Sequence, residues 1–113
     1  MRKLPIVTAG ALLAACMKVP GPPPPPYHAV GTEPFWNLLI DEHNLTFVLA
    51  GQRPVEQPTP KVIVGIAGEI YRTARIDVNI VHAPCSDGMS DRTYPDKVQV
   101  TVDGKRFDGC GGL

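Results

Sequence analysis

The chain has 113 residues with equal numbers of acidic and basic side chains, so its formal charge is zero. It contains no basic stripe and no aromatic residues interleaved with basic ones, which excludes nucleic acid as an expected partner. The segment that remains after the N-terminal signals, residues 27–113, is long enough for one domain with a modest core.

Residues 1–15 have the pattern of a secretory signal peptide. Arg2 and Lys3 form a positive start, an apolar run follows, and Ala14 and Ala15 precede Cys16. The apolar run is too short to be a membrane-spanning helix. We therefore expect export, after which the mature chain is slightly acidic because Arg2 and Lys3 are removed.

The end of this segment, LLAAC (12–16), resembles the lipobox of bacterial lipoproteins. The resemblance implies that Cys16 is acylated, becomes the first mature residue and makes the membrane a partner. Several acyl chains, each contributing ~0.8 kcal/mol per buried CH2, anchor a protein stably. Met17 follows instead of Asp, which by the same resemblance favours the outer membrane, with the domain facing the periplasm. An ordinary signal peptide cleaved near a cysteine is the alternative.

Residues 16–26 are interpreted as the lipidated cysteine and a tether. The stretch KVPGPPPPPY (18–27) contains six of the thirteen prolines of the chain. Such a run adopts an extended polyproline II helix of ~3.1 Å per residue and is stiff over several residues. We interpret it as a spacer between the membrane and the domain, with a ligand for an SH3-like partner as the alternative.

The chain has three cysteines, and lipidation of Cys16 leaves Cys85 and Cys110. Export brings these two into an oxidising compartment, where a pair is expected to form a disulfide. Closure of a loop of about 25 residues would contribute roughly 3 kcal/mol of stability in the chain-entropy model. A redox-active pair is the alternative, although such pairs usually have C-x-x-C spacing.

Alternation of apolar and polar residues predicts β-strands throughout residues 27–113. The strand-like runs are FWNLLI (35–40), NLTFVLA (44–50), KVIVGIA (61–67), YRTARIDVNIVHA (71–83) and KVQVTVDGKRFDGC (97–110). The Asp103-Gly104 step predicts a type I′ hairpin turn, and residues 51–60 are interpreted as a long loop or an irregular edge. We expect an all-β domain, either a small antiparallel barrel or a strongly curved sheet of about six to eight short strands.

Three motifs resemble an uncharacterised family of small exported bacterial domains, some of which occur beside heat-shock META-type domains. They are GTEPFW (31–36), CSDGMSDRTYP (85–95) and VTVDGKRFDGCGG (100–112). A looser likeness is to the membrane-bound inhibitors of c-type lysozyme, which implies a lipoprotein with a small antiparallel barrel and a disulfide. Those inhibitors insert a loop with a Ser-Gly-x-x-Tyr-type motif into lysozyme, and this chain has no such motif.

The segment from Cys85 to Pro95 is the candidate binding loop. We interpret it mainly as a disulfide-held structural turn, and a binding loop is the alternative, because loops held by a rigid scaffold often carry binding sites. Asp87-Gly88 is a turn step in which the carboxylate is expected to accept backbone hydrogen bonds, and Met89 is expected to fill the mouth of the barrel. The candidate residues are Asp87, Met89, Ser90, Asp91, Arg92 and Tyr94.

Metal binding and catalysis are poorly supported by the sequence. His82, Cys85 and Met89 have donor atoms, but a copper site of the blue type needs two histidines and a free cysteine. Ser86 and Ser90 lie near His82 and Asp91, yet no nucleophile-elbow pattern surrounds either serine. We expect no metal, no cofactor and no catalytic residue.

Trp36 is the single tryptophan of the chain. In a strand it points to the opposite face from Phe35, so one of the two rings packs inside the domain. We interpret Trp36 as the main core residue, and a sugar-stacking surface facing peptidoglycan is the alternative.

Three functional hypotheses follow. The first is a monomeric, non-enzymatic envelope lipoprotein with a structural or interaction role and an envelope protein or peptidoglycan as partner. The second is an inhibitor or binder of a lysozyme-like protein, which would offer Arg92 and Lys97 to an acidic cleft. The third is binding of a small ligand at the barrel mouth near Met89, Tyr94 and Trp36.

Overall fold

The computed structural model describes residues 21–89 and 91–113, and within them it contains strands and turns but no helix. The predicted signal peptide (1–15), the lipidation site Cys16 and the loop residue Ser90 lie outside the described residues. The strands are β1 (Tyr27–Thr32), β2 (Phe35–Ile40), β3 (Asn44–Leu49), β4 (Val55–Pro58), β5 (Ile63–Val64), β6 (Gly68–Arg72), β7 (Ile76–Val81), β8 (Cys85–Ser86), β9 (Thr93–Tyr94), β10 (Asp96–Val102) and β11 (Lys105–Gly111).

Nine of the strands in the described part of the chain form one antiparallel sheet in the order β4-β3-β2-β1-β11-β10-β7-β6-β5. The sheet is strongly curled into a half-barrel, which confirms the prediction of an all-β domain built on a curved sheet. The first and last strands pair at its centre, with Ala29 opposite Gly111 and Val30 opposite Cys110. Strands β8 and β9 form a separate two-stranded hairpin.

The core lies on the concave face, and the alternating residues supply it. In β10 the side chains of Val98 and Val100 are buried, whereas those of Lys97 and Gln99 are exposed on the convex face. A strand with one wet face and one dry face has this pattern because successive side chains point to opposite sides. The buried cluster is formed by Ala29, Trp36, Leu38, Ile40, Leu45, Phe47, Ile76, Val78, Ile80, Val98, Val100, Val102 and Phe107.

The β10–β11 turn has the backbone conformation that its sequence predicts. Asp103 has a φ of 49° and Gly104 a φ of 85°. Two consecutive residues with positive φ are the requirement of a type I′ turn, whose twist matches that of the flanking strands. The longest antiparallel pair of the sheet therefore has its register set by a local signal, with Val102 opposite Lys105.

The sheet contains more strands than the alternation predicts. Strand β1 follows directly from the proline tether, and β4 is an irregular edge strand inside residues 51–60, one of the two interpretations given to that segment. By contrast, the run 61–67 contributes only Ile63–Val64. It ends there because the Gly65 amide donates to the Gly68 carbonyl at 2.8 Å and turns the chain back.

The indole of Trp36 determines where two glycines must lie. Trp36 is 2 % exposed, and a Cβ on either Gly31 or Gly109 would overlap its ring. At Gly109 a Cβ would also overlap the backbone carbonyl of Val30. The tryptophan therefore lies directly on the backbones of β1 and β11, where the first and last strands of the sheet meet.

We expect G109A to lower the free energy of unfolding by about 2–3 kcal/mol, because the added methyl group meets backbone that cannot rotate away. The matched control is G65A, since a Cβ at Gly65 would have its nearest neighbour at 3.7 Å, an ordinary van der Waals distance. Urea denaturation followed by Trp36 fluorescence measures both. Equal midpoints for the two variants would contradict the close approach of the Val30 backbone and Trp36 to Gly109.

Candidate functional site

The segment that follows β7 is held to the sheet by the expected disulfide. Cys85 and Cys110 are bonded, with their Cα atoms 5.6 Å apart, which confirms that prediction. Cys85 also pairs with Tyr94 in the β8–β9 hairpin. Cys110 lies opposite the outward-facing Lys97 in the β10–β11 ladder, so the hairpin is attached to the convex face.

The candidate binding loop forms a turn, as the sequence predicts. The Asp87 carboxylate accepts a hydrogen bond from the Met89 amide at 2.9 Å, and the Thr32 hydroxyl donates to the Asp87 carbonyl at 3.4 Å. Tyr94 is buried, while Asp91 and Arg92 are exposed. The loop is thus anchored at Cys85, Asp87 and Tyr94 and exposed at its tip.

Two of the site predictions are wrong. Met89 is 63 % exposed and does not fill a barrel mouth, because its loop lies on the convex face of the sheet. Trp36 is buried in the core, which confirms its interpretation as a core residue and contradicts the hypothesis of a sugar-stacking surface. The exposed aromatic ring of that pair belongs to Phe35, which points to the opposite face of β2.

The residues His82, Cys85 and Met89, whose donor atoms were considered from the sequence and set aside as a metal site, have other partners or are exposed. Both ring nitrogens of His82 are occupied, Nδ1 by Asp96 at 2.6 Å and Nε2 by Glu69 at 2.8 Å. Cys85 is oxidised in the disulfide. No cluster of three potential metal ligands occurs among residues 21–89 and 91–113.

His82 instead belongs to a chain of polar groups at the end of the half-barrel where β1 begins. The Tyr27 hydroxyl donates to Asp96 Oδ2 at 2.7 Å, and His82 binds the other oxygen of the same carboxylate. Asp96 is 5 % exposed, so these partners supply the hydrogen bonds that a buried carboxylate requires. Sequence reasoning missed this group, because Glu69, His82 and Asp96 come from three different parts of the chain.

The ionisation of this group follows from its contacts. Hydrogen bonds to Asp96 and then to Glu69 raise the pKa of His82 above its ordinary value. Burial, followed by the hydrogen bond to Asp96, raises the pKa of Tyr27 well above that of a free phenol. The two carboxylates thus favour the protonated form of His82, in which both ring nitrogens donate charge-assisted hydrogen bonds.

A groove of about 810 Å³ opens at the other end of the half-barrel. Asp96 and Val102 begin and end β10, so the groove beside Val102 is one strand length away from the Asp96 group. Its apolar wall is formed by Phe47, Leu49, Val55, Val102 and Phe107. The residues come from β3, β4 and the ends of β10 and β11, and the curl of the sheet brings them together.

The aromatic rings connect this groove to the core. The centroids of Phe47 and Phe107 are 5.0 Å apart, and those of Phe47 and Trp36 are 5.7 Å apart. These separations are typical of favourable aromatic pairs. The single tryptophan therefore lies one ring behind the groove wall, where it can report on occupancy without being exposed.

The groove carries charged side chains. Arg75 binds Asp103 through two hydrogen bonds of 2.9 and 2.7 Å, and this contact lowers the pKa of Asp103. The Lys105 ammonium lies 5.5 Å from the centroid of the Phe107 ring. Arg53 also lines the groove, and no ion pair found in the described part of the chain involves Arg53 or Lys105.

A smaller cleft of about 370 Å³ lies beside the disulfide on the convex face. Its lining includes Asp87, Lys97 and Arg106. Lys97 and Arg92, the two cations of the inhibitor hypothesis, are exposed, and that hypothesis stays a prediction.

Comparisons with known proteins identify no relative of this chain. No protein-family model, no curated protein and no solved structure matches it. Within the residues that the structure describes, no helix has the length and apolar character needed to cross a bilayer.

We expect stability to fall as the pH rises through the raised pKa of His82, because His82 stabilises the fold in its protonated form. Its pKa is raised in the folded state, so its contribution is complete below the unfolded value of about 6.5 and is lost as the pH passes the raised value. Urea midpoints between about pH 5.5 and 8.5 should fall in the wild type and in H43Q, and the fall should be smaller in H82Q.

His43 is a suitable control because it is a highly exposed histidine whose acidic neighbour, Glu42, is also exposed. An NMR titration of the wild-type protein measures the His82 pKa directly and does not depend on the folding of any variant. A His82 pKa at or below that of an exposed histidine would contradict the assignment.

Proposed function

We propose that this chain is a lipid-anchored domain of the bacterial envelope that acts by binding a small ligand, without chemistry of its own, in the groove beside Val102. The groove is the observation that carries the proposal. Its volume of about 810 Å³ lies within the range of known small-molecule sites, and it combines an apolar wall with a few polar groups, as those sites do.

The architecture around the groove supports this function. The core is packed near Trp36, and the Asp96 group lies at the other end of the half-barrel, where the cavity beside Tyr27 is smaller, about 320 Å³. The groove wall is built on strands, which hold side chains more rigidly than a loop does. Phe47 and Phe107 support the wall from behind as buried rings of the core, and the partly buried Leu49 and Val55 supply the apolar surface that a ligand would contact.

The envelope location is part of the proposal and is supported by the N-terminal pattern and the disulfide. The lipobox-like sequence ends at Cys16, and the two remaining cysteines are bonded, as expected in an oxidising compartment. The proline-rich stretch serves as a spacer from the outer membrane into the periplasm. A ligand that reaches this groove is therefore one that the envelope supplies.

We expect a neutral apolar dye, N-phenyl-1-naphthylamine, to bind the groove. The dye should change Trp36 emission, because the Phe47 ring lies between the groove and Trp36. The variant L49Q should weaken the dye about fivefold to tenfold, since it replaces apolar wall by an amide. The matched control is L39Q on the convex face of β2, where Leu39 is exposed.

Thermal denaturation of both variants verifies that they are folded before affinities are compared. Binding that is equally weakened by L49Q and L39Q would place the dye elsewhere. An absence of saturable dye binding by the wild type, together with an absence of binding by any amphiphile of the series described below, would overturn the proposed function.

We expect the intact mass of the mature protein purified from membranes to show acylated Cys16 as its first residue. Two thiols should become available to an alkylating agent only after reduction, because Cys85 and Cys110 are bonded. A C16S variant should be recovered without lipid. A mature wild-type chain that begins elsewhere and carries no acyl group would contradict the anchor.

A further inference from the structure

The charges around the groove restrict what it can bind. From the geometry we propose that the groove selects a single-chain amphiphile with an anionic headgroup, and this inference rests on the proposed function. Among the residues that line it, Arg53, Arg75 and Lys105 are cationic and Asp103 is acidic. Because Arg75 and Asp103 bind each other, Arg53 and Lys105 supply the positive charge offered to a ligand.

The position of Lys105 explains why charge and apolar surface would be recognised together. Its ammonium lies 5.5 Å from the centroid of the Phe107 ring, and that ring is part of the apolar wall. A headgroup bound by Lys105 would therefore place the first carbons of its chain against Phe107. A purely polar anion would leave the wall exposed to water, and a neutral apolar ligand would leave both cations without a counter-charge.

The pair formed by Arg75 and Asp103 has a different role. Its two hydrogen bonds connect the β6–β7 turn to the β10–β11 turn, and the Asp103 amide donates to the Arg75 carbonyl at 2.9 Å. The Arg75 amide in turn donates to the Gln57 side chain of β4 at 3.2 Å. These bonds bring the β4 edge of the sheet towards β6 and β7 and so fix one side of the groove.

The size of the apolar wall favours one acyl chain. Five apolar side chains form it, and two of them, Leu49 and Val55, are only partly buried. Burial of each methylene strengthens binding about fourfold, so a medium-length chain would contribute most of the affinity. The two cations would then discriminate between headgroups, because exposed charges contribute little affinity but clear preference.

The test uses four amphiphiles with the same twelve-carbon chain, each kept below its critical micelle concentration. Laurate and dodecyl phosphate are anionic, dodecyl maltoside is neutral, and dodecyltrimethylammonium is cationic. Affinities are measured from Trp36 emission and by calorimetry with the full mature protein. We expect the better anion to bind at least about tenfold more tightly than the maltoside and the cation to bind most weakly.

The double variant R53Q/K105Q should reduce anion affinity about tenfold and leave maltoside affinity unchanged. Its matched control is K61Q/R72Q, which removes the same two residue types from exposed positions that do not line the groove. The preference for anions should also decrease as salt is added, because the two cations are exposed.

The outcomes separate the two proposals. A higher affinity for laurate or for dodecyl phosphate identifies the headgroup, and either result supports an anionic ligand. Equal affinities across the series, or an anion preference that R53Q/K105Q does not reduce, would overturn this inference while the proposed binding function stands. If none of the four binds and the naphthylamine dye does not bind either, both proposals fail.

Discussion

The fold depends on the close packing of one indole ring against the backbones of two neighbouring strands. Trp36 of β2 lies across Gly31 of β1 and Gly109 of β11, and neither glycine has room for a side chain. A large ring that rests on the backbone occupies the inside of the curl, where a flat sheet would leave a void. Interiors are packed without such voids, so the ring and the two glycines together favour a curled sheet.

The same packing connects the centre of the domain to its open end. From Trp36 the aromatic contacts continue to Phe47 and Phe107, and these rings are also part of the groove wall. The groove is therefore an extension of the core and not a separate depression in the surface. For this reason its wall is apolar and rigid, and a change in the groove would be transmitted to the buried tryptophan.

The two ends of the half-barrel differ in the side chains that lie between the core and solvent. At one end Tyr27 and His82 bind the buried carboxylate of Asp96, and Glu69 binds the other ring nitrogen of His82, whose pKa is raised. At the other end apolar side chains meet solvent, with cations beside them. Apolar area exposed at one place in a small domain is costly, and a bound apolar ligand would remove that cost.

The disulfide and its loop belong to the outer face and leave the groove free. Because Cys110 points outward from β11, the bond to Cys85 holds the β8–β9 hairpin on the convex face. Met89 is consequently on the outside of the domain and does not fill the barrel mouth, the position expected for it from the sequence. Cys85, Asp87 and Tyr94 anchor this loop, and Asp91 and Arg92 are exposed at its tip.

The features that the sequence by itself determined are local to one stretch of chain, or depend on the redox compartment expected for the cysteines. Alternation in β7 and β10 defined their buried faces, Asp103-Gly104 set one hairpin, and the expectation of export predicted the bond between Cys85 and Cys110. Tertiary structure alone decided that β1 pairs with β11, that His82 meets Asp96 and Glu69, and that Arg53 and Lys105 share a groove with Phe107. Alternation specifies which side of a strand is dry, but the neighbour and register of distant strands depend on how the whole sheet curls.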